Sequence, residues 1–169
     1  LKSITLVCQD WGGLLGLTLP MEMPERFSRL LIMNTTLGTG DVQLSKGFLD
    51  WRSWVRKKPD FSPARLLKLA CPHLSEQEYA AYDAPFPDDS YKAGARIMPT
   101  LISSELIANH KAWKEVLSKW EKPFLTAFSD GDPITRGGEK IFQARVPGAK
   151  GQPHVMIKGA GHFLQEDKG

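Results

Sequence analysis

Apolar positions in residues 1–34 fall into two short runs separated by a glycine-containing stretch of longer period. Ile4, Leu6 and Val7 read as the inside of one buried strand, which the chain already occupies at Leu1-Lys2-Ser3-Ile4. Arg29-Leu30-Leu31-Ile32-Met33-Asn34 is a second run of strand length. Between them, Gly12-Gly13-Leu14-Leu15-Gly16-Leu17 opens a helix whose small residues allow close packing on a sheet. That helix is expected over 12–23, with Pro20 kinking or ending it near Leu19, because proline lacks the backbone donor and clashes with the preceding turn. Strand, helix and strand in this order form a right-handed βαβ unit, which implies a parallel sheet.

From Thr35 the pattern changes. A polar loop, Thr35-Thr36-Leu37-Gly38-Thr39-Gly40-Asp41, leads into a helical region that lasts to about Trp120. Leu49, Trp51, Trp54 and Val55 fit one amphipathic helix. Ser62-Pro63 starts another, and Ser75-Glu76-Gln77-Glu78 forms a capping box ahead of Tyr79 and Tyr82. Ala84-Pro85-Phe86-Pro87-Asp88-Asp89 breaks that helix, and 92–99 and 103–120 supply more. Sheet character returns in a third strand over 122–128, followed by a helix over 136–144 and a short fourth strand over 154–158. The expectation is an α/β domain made of 1–34 and 121–169, with 35–120 inserted as a helical cap over the carboxyl edge of the sheet. Open α/β sheets bind ligands at that edge.

Composition narrows the class without deciding the chemistry. The 169 residues are 41% hydrophobic and 24% charged, ordinary for a globular protein, and the net charge of +3 is spread thinly apart from Arg56-Lys57-Lys58. Neither nucleic-acid nor membrane binding is indicated, and no apolar stretch is long enough to span a bilayer. Cys8 and Cys71 lack metal-ligand spacing, and a cysteine in a buried strand is a poor disulfide partner, so a reducing, cytoplasmic setting is the default.

Candidate chemistry begins where the first strand ends, at Cys8-Gln9-Asp10-Trp11-Gly12. Small-x-nucleophile-x-small is the strand-to-helix elbow of α/β-hydrolases, with Asp10 where serine usually stands and small neighbours that a tight turn requires. Alternatively, Asp10 is a helix N-cap. Two further polar groups follow later strands: an acid, Asp130 or Asp132, and His162 within Gly159-Ala160-Gly161-His162-Phe163. Nucleophile, acid, histidine is the chain order of the α/β-hydrolase triad. Asp132 is favoured as the acid because the Asp-Pro-Ile-Thr turn puts it at the loop apex, while Asp130 caps the turn. His73, His110 and His154 have no comparable setting.

Taken together, Gln9-Asp10-Trp11-Gly12-Gly13, Asn34-Thr35-Thr36, Phe128-Ser129-Asp130-Gly131-Asp132-Pro133-Ile134-Thr135, Gly159 to Glu166 and the stretch Ala84 to Gly94 resemble haloalkane dehalogenases. The resemblance is to the subfamily whose acid follows the later strand, and to the second, larger part of such an enzyme. It implies an α/β-hydrolase fold with an inserted cap. It also implies displacement of halide by Asp10, an alkyl-enzyme ester, and hydrolysis of that ester by water activated at His162 with Asp132 behind it. Partners would be a small halogenated hydrocarbon, water and halide, with no metal or organic cofactor. By the same resemblance Trp11 and Trp51, the latter in Gly47-Phe48-Leu49-Asp50-Trp51, donate to the halide. Trp54 competes with Trp51 for that role. Phe48, Phe163, Leu14 and Ile134 would line an apolar pocket, and the full-length enzyme would be a monomer. An epoxide hydrolase shares the elbow and triad and would use cap tyrosines, among Tyr79, Tyr82 and Tyr91, to protonate the epoxide. Gln9 and Trp51 favour the dehalogenase. With no initial Met and an end shortly after His162, the chain reads as a fragment that is inactive alone. The elbow strand would then have an unpaired edge and an uncovered face, and the terminal helix expected after His162 would be missing.

Overall fold

The computed structural model describes residues 1–41, 43–58, 61–102 and 106–169. Four parallel strands form one sheet in the order β1 (Ile4–Gln9), β2 (Phe27–Met33), β3 (Phe124–Ser129) and β4 (Val155–Ile157). Strand order follows chain order, so each crossover delivers the next strand to the same growing edge, and the polar residues after each strand collect at one end of the sheet.

The first strand starts at Ile4 rather than Leu1, because Ser3 has a φ of 56° that no strand accommodates. Its pleat turns Ile4, Leu6 and Cys8 toward the helices and leaves Val7 on the other face, 52% exposed and not in the core as the run of apolar letters suggested. Among the described residues β1 pairs with β2 alone.

The single helix expected over 12–23 is two: α1 (Trp11–Gly16) and α2 (Leu19–Glu22). The break falls at Leu17 and Thr18, ahead of Pro20. Proline sits in the first turn of α2, where the missing N–H would have no intrahelical acceptor, so it starts a helix instead of kinking one. The glycines of α1 explain its closeness to the sheet. A Cβ at Gly16 would lie 2.7 Å from Cys8 Sγ, and one at Gly13 would lie 2.0 Å from Thr35 Oγ1.

Between β2 and β3 the described elements are helical: α3 (Lys46–Lys57), α4 (Pro63–Ala70), α5 (Glu76–Asp83), α6 (Ala93–Leu101) and α7 (Leu106–Glu115), with single 3-10 turns at Asp89–Lys92 and Leu117–Lys119. Ser103–Glu105, the start of the last expected helix in this region, lie outside the described residues. The caps expected at Ser62 and Ser75 are present. Ser62 accepts from Arg65 N, and Ser75 and Glu78 form the reciprocal capping box. After β3 come α8 (Gly138–Arg145), β4 and α9 (Leu164–Asp167); the last of these is a helical turn after His162, where none was expected within the chain.

Two apolar cores result. The larger joins the sheet to α1 and α8 and takes in Leu37, Ala112, Leu117 and Trp120 from the inserted region, with Phe142 stacked between Trp113 and Phe124. The smaller consists of Ala64, Leu67, Cys71 and Tyr79 of the α4–α5 pair, with Phe163 packed against it. Among the described residues no helix is long and apolar enough to cross a membrane.

Gly13→Ala is expected to cost about 1–3 kcal/mol of stability, the range for forcing extra volume into a close-packed contact, measured by urea unfolding against Gly12→Ala, whose Cβ would meet nothing within 4 Å.

Candidate active site

Asp10 occupies the tip between β1 and α1 with φ 49° and ψ −122°, a conformation that costs a non-glycine residue about 1–3 kcal/mol. Backbone bonds hold it there. Asp10 N donates to Asn34 O at 3.0 Å, and its carbonyl accepts from Gly13 N at 2.9 Å and Thr35 Oγ1 at 2.6 Å. The Asp10 side chain makes no capping bond, so its carboxylate is not occupied as a helix N-cap. Instead it approaches His162, with Oδ1 3.5 Å from Nε2.

On the other side of the imidazole, His162 Nδ1 lies 3.0 Å from Asp132 Oδ2. Asp132 is only 1% exposed, yet its oxygens are well supplied with donors: Ile134 N at 2.8 Å to Oδ1, and the Thr135 hydroxyl together with His162 to Oδ2. Burial opposes its charge, but the hydrogen bond and charge of His162, with Thr135 and the Ile134 amide, hold the carboxyl below the usual range. Asp130 has a different task. Its Oδ1 accepts from Gly159 N at 2.8 Å and closes the acid loop onto the histidine loop. Burial alone would lower the basicity of His162, but hydrogen bonds and charge from Asp10 and Asp132 outweigh it and push the imidazole up to about 9. Both carboxylates thus favour the protonated form of the imidazole.

Three polar side chains without an assigned role in the sequence reading build the frame around this triad. Asn34, fully buried at the end of β2 and with φ 29°, donates from Nδ2 to Ser129 Oγ (2.8 Å), Gly161 O (3.0 Å) and His162 O (3.1 Å), and accepts Ser129 N at Oδ1 (2.9 Å). Gln9 Nε2 also donates to His162 O, at 3.1 Å, and Ser129 Oγ to Gly161 O, at 2.7 Å. The available signal was a polar residue closing each apolar strand: Gln9, Asn34 and Ser129 all stand there.

A cavity of about 1090 Å³ opens over the triad between the sheet edge and the inserted helices. Asp10 and His162 line it, and Asp132 lies behind the imidazole. Trp11, Trp51, Phe48, Leu14, Ile134 and Phe163 line it as well. Among the described residues neither the Trp11 nor the Trp51 indole N–H has a protein acceptor, whereas Trp113 Nε1 is committed to Leu37 O at 2.8 Å. Trp54 is not in this cavity. It packs edge-on against Phe61 beside a smaller one bounded by Lys58, Ser62 and Arg65. The inserted tyrosines are also elsewhere: Tyr79 donates to Cys71 O, Tyr82 to Glu166, and Tyr91 is exposed. Among the described residues no group of three or more His, Cys, Asp or Glu side chains is placed to hold a metal ion.

This arrangement can deliver a carboxylate to an electrophilic carbon, present two N–H donors to a departing anion in an apolar chamber, and then activate water with a histidine backed by an acid. A family model described as alpha/beta hydrolase fold matches residues 1–169. A haloalkane dehalogenase of Psychrobacter cryohalolentis is 50% identical over 175 residues, covering all of this chain and 57% of the relative. One from Mycolicibacterium paratuberculosis is 41% identical over 175 residues, covering all of this chain and 58% of the relative. The solved structure of the tetrameric haloalkane dehalogenase DpaA from Paraglaciecola agarilytica NO2 superimposes with a TM-score of 0.85 at 32% identity, covering 98% of this chain and 57% of that one. The chain thus spans a little over half the length of the curated relatives it matches.

The raised basicity of His162 has a consequence for stability. A histidine whose folded-state pKa lies above its ordinary 6.5 contributes stability in full below that pH, and the contribution is lost as pH climbs through about 9. Unfolding free energy from urea titrations is expected to fall between pH 6.5 and 9, and Asp10→Asn, which removes one of the two anionic partners, is expected to flatten that fall.

Proposed function

The chain belongs to the α/β-hydrolase fold family, and from that footing we propose that it carries the catalytic machinery of a haloalkane dehalogenase. The observation that carries the reading is the pairing of an aspartate at the elbow with two indole N–H donors, unengaged among the described residues, in one apolar cavity. Serine at that position would give a stable ether with a haloalkane. An aspartyl ester is hydrolysable, which makes turnover chemically feasible.

In the proposed reaction an Asp10 carboxylate oxygen attacks the carbon that bears the halogen. The new C–O bond forms as the C–halogen bond breaks, and the halide leaves with the electron pair. Trp11 and Trp51 stabilise it through N–H donors that bring no counter-ion of their own. Forming the ester removes the charge of Asp10, one of the two anions that raise the His162 pKa. The imidazole sheds its proton to solvent more readily and becomes a base at neutral pH. It takes a proton from water through Nε2 while the hydroxide adds to the ester carbonyl, and Asp132 stabilises the imidazolium through Nδ1. The Trp11 backbone amide, first in α1 and without an intrahelical acceptor, is suited to the developing oxyanion. Collapse breaks the bond from the acyl carbon to the alkyl oxygen, the departing oxygen takes the proton held by the His162 imidazolium and leaves as the alcohol, and the Asp10 carboxyl is regenerated. Residues 35–120 act as the lid that keeps the chamber apolar.

An epoxide hydrolase needs an acidic hydroxyl beside the opening ring. The engagements of Tyr79 and Tyr82 and the exposure of Tyr91 favour halide release over that chemistry.

The test is bromide release from 1-bromobutane and 1,2-dibromoethane, with styrene oxide alongside, by the chain extended at its N-terminus with a dehalogenase-like segment. Bromide is expected from the parent and none from Asp10→Asn. Trp51→Phe should lower the rate by about 100-fold, the scale for loss of one donor to a developing charge, and Trp54→Phe should leave it unchanged. Diol from styrene oxide without bromide from either substrate would reassign the site to epoxide hydrolysis.

A further inference from the structure

His162 is oriented by Asp132 at its ring and by the path of its own loop, and that path is fixed from two directions. From the sheet, Asn34, Gln9 and Ser129 hold the carbonyls of Gly161 and His162. From the opposite side, Asp167 Oδ2 accepts the N–H of Gly161 at 2.6 Å. The residue next to the histidine is therefore bonded through its carbonyl to the sheet and through its amide to α9.

The α9 turn is held by the inserted helices. Glu166 accepts the Tyr82 hydroxyl at its side chain, and its carbonyl accepts His73 Nε2 at 3.0 Å. Asp167 Oδ1 lies 3.6 Å from His73 Nδ1. Burial, with the negative charges of Asp167 and Glu166, pushes the Cys71 thiol up to about 11, so it is not a nucleophile at neutral pH. Cys71 and His73 lie in the turn between α4 and α5, and Tyr82 is on α5. The pair is stiff. Tyr79 closes one end onto Cys71 O at 2.7 Å, and Asp83 closes the other by accepting Ser62 Oγ at 2.7 Å and Ala64 N at 3.0 Å. Phe163 adds an apolar link: it packs into the α4–α5 core while its ring meets His162 edge-on at 5.3 Å.

The same pair forms part of the chamber wall, because Leu66, Leu69 and Ala70 of α4 line the cavity. A displacement of that wall has a short bonded route to the histidine loop, through His73 and Tyr82 to α9 and from Asp167 to Gly161.

We propose that the α4–α5 pair is a clamp for the catalytic histidine, with Asp167 and Tyr82 as positioning residues, so that the helix lining the substrate chamber also sets the geometry of ester hydrolysis. The assignment to that step rests on the dehalogenase reading, and it predicts a selective defect. Attack by Asp10 does not use the imidazole as a base, whereas hydrolysis does, so loosening the clamp should spare the first half-reaction and slow the second.

The experiment uses the N-terminally extended chain with Asp167→Ala, Asp167→Asn and Tyr82→Phe. With 1-bromobutane, Asp167→Ala is expected to release the first equivalent of bromide at the parental rate and then turn over about 10- to 100-fold more slowly, the scale of a misplaced catalytic group. Asp167→Asn, which keeps an acceptor for Gly161 N without the charge, should recover most of the loss, and Tyr82→Phe should show a smaller burst of the same kind. Titration of His162 by NMR should give a lower pKa in Asp167→Ala than in Asp167→Asn. Equal slowing of both half-reactions, unchanged hydrolysis, or identical titrations in the alanine and asparagine variants would overturn the clamp. If the parent releases no bromide the dehalogenase reading fails. The titrations then decide the clamp alone, with His162 indifferent to Asp167→Ala and Tyr82→Phe as the contrary result.

Discussion

A buried amide keeps its place at the end of an apolar strand only if its donors and acceptor are met, and Asn34 meets them with the segments that carry the site. Its side chain holds Ser129 N and Oγ at the end of β3 and the carbonyls of Gly161 and His162, while its own carbonyl takes the Asp10 amide. One residue thus spans the Asp10 elbow and the His162 loop and anchors the end of the strand that leads to Asp132. Each of these bonds is worth only about 1 kcal/mol net. Losing the amide would leave several buried groups unpaired at once, which is why the geometry of the site depends on it.

Within that frame the electrostatics are asymmetric in a useful way. Asp132 is buried and permanently engaged by Thr135, Ile134 and His162, whereas Asp10 is partly exposed to the cavity and meets only the far nitrogen of the imidazole. The two carboxylates together hold the proton on His162. On the proposed mechanism the reaction neutralises the exposed one and leaves the buried one, so the base is released when the ester that needs it has formed.

Much of this was legible in the sequence, because it is written in local patterns. Glycines around Asp10 mark a tight elbow, apolar runs mark the strands, Ser62 and Ser75 announce their caps, and chain order puts Asp10, Asp132 and His162 past the ends of β1, β3 and β4. What was not legible depends on contacts between distant residues. Nothing near Asn34 or Gln9 in the chain shows that their amides reach the carbonyl of His162. The exposure of Val7 depends on which face of β1 the helices cover, and the division between α1 and α2 reflects proline's preference for a first turn over a helix interior. Trp51 and Trp54 lie only about 60° apart around α3, so the choice between them follows from how that helix docks. The link from Tyr82 and His73 to α9 joins segments more than eighty residues apart, which no local pattern encodes.

The covalent role of Asp10 is the claim on which the rest turns, and a single turnover in H₂¹⁸O tests it most directly. With enzyme in excess over 1-bromobutane, the account predicts that ¹⁸O enters the Asp10 carboxylate and that the first equivalent of butanol carries unlabelled oxygen from the protein. Label in the first butanol, with none in the peptide that contains Asp10, would contradict it.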